Sequence, residues 1–209
     1  MDVFTVKTIE KSLLVGFVLS LILSMTSFAN GCDSLSTKVL RLHILANSNS
    51  EQDQALKLKV RDKIIEKSGS FLDGVSDKDL AQRLTEENLE NIKKIAEEEV
   101  AAQGFSYPVR VEVTDMYFPT RQYENFTLPA GRYDALRVLI GDGKGKNWWC
   151  VIFPQMCLGC AMSPSATDTL LTDNEKVIIS SSEKFEVKFK VVEWYYGLKT
   201  MISGWFDMV

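Results

Sequence analysis

At Gly104 the apolar residues of the chain change their spacing. Before it, Leu80, Leu84, Ile92, Ile95, Ala96 and Val100 recur at helical intervals between Asp77 and Gln103. After it, Val109, Val111 and Val113 alternate with Arg110, Glu112 and Thr114, the period of a half-buried strand. A helix stripe and a sheet face each need an apolar partner, and one chain carrying both is best served by packing the first on the second. The same pairing occurs upstream. Leu40, Leu42, Ile44 and Ala46 alternate with Val39, Arg41, His43 and Leu45, which reads as a strand. Asn47-Ser48-Asn49-Ser50 is a turn of residues that bond their own backbone, and Ser50 with Asp53 three positions on starts a helix to about Lys67, ended by Gly69. Ser76 is the expected cap of the second, longer helix, over 77–103. Tyr133 to Ile140 and Trp148 to Phe153 read as two strands of a hairpin joined through "GDGKGKN". A loop from Pro154 to about Asn174 and a final helix over 182–202 follow, although Phe185, Val187, Phe189 and Val191 also suit a strand. The expected fold class is α+β, with helices packed on one mostly antiparallel sheet in the order β-α-α-β-β-β-α. A chain of 209 residues suits one such domain.

The first 29 residues stand apart. Lys7 and Lys11 precede a stretch from Ser12 to Ala29 without a charge, and Ser27-Phe28-Ala29 offers a small-x-small cleavage site. The expected division is a signal peptide or membrane anchor over 1–29, a linker over 30–37, and a single exported domain over 38–209. The run is as long as the shortest membrane-spanning helices, about 17 residues, so a retained anchor over 12–29 is the alternative to cleavage. Cys32 follows Asn30-Gly31, a poor lipoprotein signal. The formal net charge is −4 with both signs interspersed, which lacks the basic footprint of a nucleic-acid binder. Outside the cytoplasm nearby thiols pair. Four cysteines, Cys32, Cys150, Cys157 and Cys160, allow three full connectivities. A bond between Cys150 and Cys157 is expected, since the residues between them can close a tight loop. Thioredoxin-like spacing at Cys157-Leu-Gly-Cys160 and a zinc site from three cysteines with His43 are weaker readings.

Few stretches suggest catalysis. The glycines of "GDGKGKN" do not open a helix, so a hairpin with positive-φ positions is a better account than a phosphate loop. No G-x-S-x-G elbow is present, and any triad has to recruit His43, the one histidine. An extracytoplasmic hydrolase or metal-dependent enzyme centred on His43 is the alternative to a non-enzymatic protein. Asp53, Lys57 and Arg61 form a charged row between apolar flanks of the first helix. That row is either a ladder of ion pairs or a polar seam beside His43. Arg121, Tyr123, Asn125, Phe126 and Arg132 in one loop, followed by Trp148-Trp149, are residue types enriched at interfaces. Adjacent tryptophans on a strand point to opposite faces, so one is expected in the core and one exposed or loop-covered.

Two stretches, "RLHILANSNSEQDQALKLKVRD" and "FPTRQYENFTLPAGRYDALRVLIGDGKGKNWWCVIFP", resemble the motifs of the stage II sporulation protein R family. The resemblance covers most of residues 38 to 157; Gln155 stands where a second proline is expected, and Cys160 is an addition. It implies a protein made in the forespore and exported into the space between forespore and mother cell. The implied partner is a membrane-embedded aspartic-type protease of the mother cell, which cleaves the precursor of sigma factor E. It implies no catalytic residue, cofactor or metal in this chain, and membrane contact only through an uncleaved N-terminal segment. Matched to the motifs, the implied partner-binding positions are Arg41, His43, Asn47, Ser48, Asp53, Lys57, Arg61, Arg121, Tyr123, Asn125, Trp148 and Trp149.

Overall fold

The computed structural model describes residues 3–123, 126–154, 170–180, 189–194 and 196, with side chains at all of these but 3–8, 21, 22 and 27. The fold is α+β, built on a four-stranded sheet of order β2-β5-β1-β6. Its strands are β1 (Leu40–Leu45), β2 (Val109–Phe118), β5 (Gly131–Ile140) and β6 (Asn147–Phe153). A two-stranded ribbon, β3 (Arg121–Gln122) with β4 (Thr127–Leu128), lies between β2 and β5 in the chain. The sheet is mostly antiparallel: β2 with β5 and β1 with β6 are antiparallel, and β1 with β5 is parallel.

The expected hairpin of β5 with β6 does not form. Strand β1 lies between them, pairing Leu42 with Leu136 on one side and with Cys150 on the other. Its burial explains the placement: Leu40 to Ile44 are buried without alternation, as a central strand covered on both faces requires. The glycine-rich loop therefore arches over the end of β1. Gly141 (φ 59°) and Gly143 (φ 64°) do take left-handed conformations there.

Helices α2 (Glu51–Leu72), α3 (Lys78–Glu87) and α4 (Leu89–Ala102) cover one face. Ser50 caps α2 as expected, its hydroxyl accepting from Asp53 N–H at 3.2 Å. The helix runs past Gly69 because Leu72 is buried in the core, and it stops at Asp73 before Gly74 (φ 72°). Leu56, Val60 and Ile64 pack on Leu42, Ile44 and Val138, burial that stabilises by roughly 2 kcal/mol per side chain. The single helix expected over 77–103 is two. Asp77, not Ser76, is the cap, accepting from Leu80 N–H at 2.8 Å, and the chain bends at Asn88, whose amide donates to Leu84 O at 2.7 Å.

The other face carries a second apolar cluster of Leu35, Val39, Phe118, Phe126, Leu128, Tyr133, Ala135, Val151, Leu171 and Ile179. Leu35 ends α1 (Val3–Ser36), and Ile179 belongs to α5 (Asp173–Ser180), a helix beginning where a loop was expected to end. Residues 189–194 and 196 are helical, and the rest of the expected 182–202 helix lies outside the described residues. Helix α1 continues through 30–36, the expected linker, and buries Phe28 and Cys32 against Ile178, Phe189 and Val192. Between Ile9 and Leu23 its described apolar side chains are exposed, Leu13 at 69% and Leu23 at 70%. From Ile9 to Ser36 it is long and apolar enough to cross a membrane, which is compatible with a signal peptide or an anchor.

Candidate functional site

Alternation along β1 sends its polar residues away from the helices. Arg41 and His43 lie on the face opposite Leu42 and Ile44, and both are buried, at 0% and 3% exposure. In register, Glu112, Arg137, His43 and Trp149 form one row across all four strands. Arg137 is held by Glu112 at 3.0 Å. The His43 ring stacks on Trp149, centroids 4.1 Å apart and planes 6° from parallel. Its Nε2 donates to Asn147 Oδ1 at 2.8 Å, and Nδ1 is buried with no partner.

Arg41 is the more unusual residue. Its guanidinium lies over Phe118 at 4.0 Å and Tyr133 at 5.0 Å, donates to Tyr123 Oη at 2.6 Å, and reaches Cys150 O at 3.5 Å. Its second terminal nitrogen, Nη1, is buried with no partner, and among the described residues no carboxylate touches it. Cation–π contacts contribute about 0.5–2 kcal/mol each, whereas burying an ion costs several kcal/mol even after relaxation. The aromatic cage alone therefore does not offset the burial of this charge. Burial pushes its pKa below the ordinary guanidinium value, and the Arg121 charge pushes the same way. Phe118 joins the pieces: its ring meets Arg41, His43, Tyr133 and Trp149. The exposed Arg121 lies over the outer part of the site, 5.6 Å from the Trp149 ring.

The helix-side residues do different work. Asn47 Oδ1 accepts from Asp142 N–H at 3.0 Å, and its amide donates to Asp53 Oδ2 at 3.0 Å. The loop over β1 gives Lys144 N–H to Asn47 O, Gly145 N–H to Ala46 O and Lys146 N–H to Asn49 Oδ1. Lys57 donates to Gln54 Oε1 at 2.7 Å and to Lys146 O at 2.9 Å. Ser48 shapes the turn, its hydroxyl accepting from Ser50 N–H and its carbonyl from Gln54. Together these bonds clasp the Asn-Ser turn to the glycine-rich loop. Asp53 and Lys57 are buried within it and do not pair with each other, so the charged row is neither an ion-pair ladder nor an open seam. Burial raises the Asp53 pKa, but hydrogen bonds from Ser48, Asn47, Tyr107 and Ser50 together bring it below the ordinary value. Burial, with the charges of Arg61 and Lys146, lowers that of Lys57.

Arg61 leaves the row, bonding Asp62 at 2.6 Å and lying over the Trp148 ring at 4.3 Å. Trp148 thus belongs to the helix face and Trp149 to the other, as their adjacency predicts; both are half-buried, where one core ring and one exposed or loop-covered ring were expected. The structure therefore divides the twelve positions. Arg41, His43, Arg121, Tyr123 and Trp149 come together on one face; Asn47, Ser48, Asp53 and Lys57 form the clasp; Arg61 and Trp148 pair beside it. Asn125 lies outside the described residues, as do Cys157 and Cys160, while Cys150 is disulfide-bonded and Cys32 is a buried free thiol. Phe118, Tyr133 and Asn147 were missed. Only their aromatic or amide character marked them, because the contacts of Phe118 with Arg41 and His43 join residues far apart in the chain.

Burial is the main cause that lowers the His43 pKa; the Asn147 bond opposes it, and Arg137 and Arg41 add to it. An unfolded histidine titrates near pH 6.5. As pH falls below that value the unfolded chain takes a proton that the folded chain does not, so stability falls until folded His43 is itself protonated. Urea unfolding of wild type and His43→Gln between pH 7.5 and 5 should show wild type losing more on acidification. Parallel profiles would contradict this environment.

A family model described as stage II sporulation protein R matches residues 36–163. The stage II sporulation protein R of Bacillus subtilis (strain 168) is 35% identical over 182 residues, covering 77% of this chain and 81% of that protein. No solved structure matches. The family match spans both the Arg41–His43 strand and the aromatic loop that packs on it, and on that ground the chain belongs to the stage II sporulation protein R family, a family of sporulation proteins.

Proposed function

We propose that the chain is an exported signal of endospore formation. It leaves the forespore, enters the space between forespore and mother cell, and switches on a membrane-embedded aspartic-type protease that cleaves the sigma factor E precursor. Membership of the family carries this reading. Two features support it. The exposed apolar length of α1 suits export or anchoring. His43 meets an amide oxygen and an indole face, neither of which exchanges a proton near neutrality, so its setting suits a buried structural or binding group better than a general base. Activation needs no chemistry from the signal, only tighter binding to the active protease than to the inactive one. The test is reconstitution: full-length chain, protease and sigma precursor in one vesicle membrane. Precursor cleavage that depends on added chain is expected, and cleavage unaffected by the chain would refute the proposal.

The export reading also favours a Cys150–Cys157 bond within an oxidising space. Such a loop closure contributes roughly 2–3 kcal/mol. Peptide mapping without reduction should recover the two cysteines in one linked pair; Cys150 joined elsewhere would count against it.

A further inference from the structure

Two buried nitrogens on the same face of β1 lack partners: Nη1 of Arg41 and Nδ1 of His43. Residues two apart on a strand are separated by about 6.6 Å. Both side chains touch the Phe118 ring, Arg41 at 4.0 Å and His43 at 6.3 Å between centroids, so the two groups are close neighbours. Among the described residues, every group that meets the Arg41 guanidinium is neutral: a tyrosine hydroxyl, a backbone carbonyl and two aromatic rings. Arg137, next to His43 in the row, has its own carboxylate in Glu112, and Arg121 adds another positive charge above Trp149. Among the described residues, Arg41 is thus a buried cation that no carboxylate meets. Tyr123 and Trp149, which wall it, are only half-buried, and Tyr123 belongs to the segment of the small β3–β4 ribbon.

We propose that Arg41 and His43 form the floor of a binding site for a single carboxylate, opened beside Trp149 when the Tyr123 hydroxyl releases Trp149 O. A carboxylate presents two oxygens in one plane, which suits a guanidinium N–H beside an imidazole nitrogen. One oxygen accepts from Arg41 Nη1. The other accepts from His43 Nδ1, which takes a proton from solvent as the anion binds and keeps its Nε2–H on Asn147. Chloride lacks this paired geometry. The ligand is either a small free carboxylate or the acidic side chain of a protein.

The purified full-length chain is titrated with sodium acetate and, separately, with N-acetylglutamic acid α-amide, each against sodium chloride at equal ionic strength. Thermal midpoint and the His43 imidazole nitrogen resonances are followed. The expected result is a saturable rise in midpoint and a protonation-type shift at His43 Nδ1. In Arg41→Met, whose side chain fills the same cage, affinity should fall about tenfold or more. Binding of both probes identifies a free carboxylate as sufficient; binding of the glutamate probe alone identifies a side chain. No saturable change with either probe, or equal binding by Arg41→Met, overturns the proposal. No protease is present in this assay, so its outcome is independent of the signalling reading.

Discussion

Arg41→Met is expected to make the isolated chain more stable, by about 1–4 kcal/mol, while weakening the signalling proposed for it. Replacing buried ionic groups by apolar ones of similar volume is often stabilising to this extent, because the desolvation cost disappears. Among the described residues the cost is offset only by the Tyr123 hydroxyl, a long contact to Cys150 O and two ring faces, and Nη1 goes unpaired. Methionine keeps contact with Phe118 and Tyr133, and the Tyr123 hydroxyl retains its bond to Trp149 O at 3.3 Å. Urea unfolding measures the first half and sigma-precursor processing the second. A methionine variant several kcal/mol less stable than wild type would show that Arg41 is a structural keystone and not a residue held ready for a ligand.

Gly145→Ala should have the opposite sign and a similar size, a loss of about 3 kcal/mol. A β-carbon there would collide with the backbone oxygen of Ser48 and come 2.9 Å from the Ala46 β-carbon. Backbone cannot swing aside as a flexible side chain does, so the loop must lift and release Gly145 N–H from Ala46 O. Trp148 and Trp149 follow Asn147, the first residue of the strand after this loop. The variant should therefore also perturb their fluorescence in the native state. A variant with wild-type stability would mean that the clasp does not set the register of β6.

The sequence carried the periodicities plainly, and with them the helix layer, the β1 and β2 strands and the Ser50 cap. It did not carry strand order. Two apolar strands joined by a glycine-rich turn look the same whether they pair directly or admit a third strand between them, and only the unbroken burial of β1 separates the cases. The motif residues were legible as a set, yet their division was not. Asn47, Ser48, Asp53 and Lys57 are polar because the loop that crosses β1 leaves backbone N–H and C=O groups to be met. Arg41 and His43 look similar in sequence, but parity along β1 sends them to the other face. The helix break at Asn88 left no proline or glycine to mark it.

On the function proposed above, the chain acts by binding, with His43 as a contact and not a catalyst. A dose series of folded His43→Gln and Arg61→Ala in the reconstituted processing assay tests this most directly. Glutamine keeps size and hydrogen bonding, and one lost contact of about 1 kcal/mol is compensated by a roughly fivefold higher dose. Arg61→Ala removes the cation over Trp148 and should shift the curve at least as far. His43→Gln is expected to reach the wild-type plateau of sigma-precursor cleavage once enough is added. If His43→Gln stays inactive at saturating dose while Arg61→Ala is nearly normal, the binding account is contradicted and His43 takes part in chemistry.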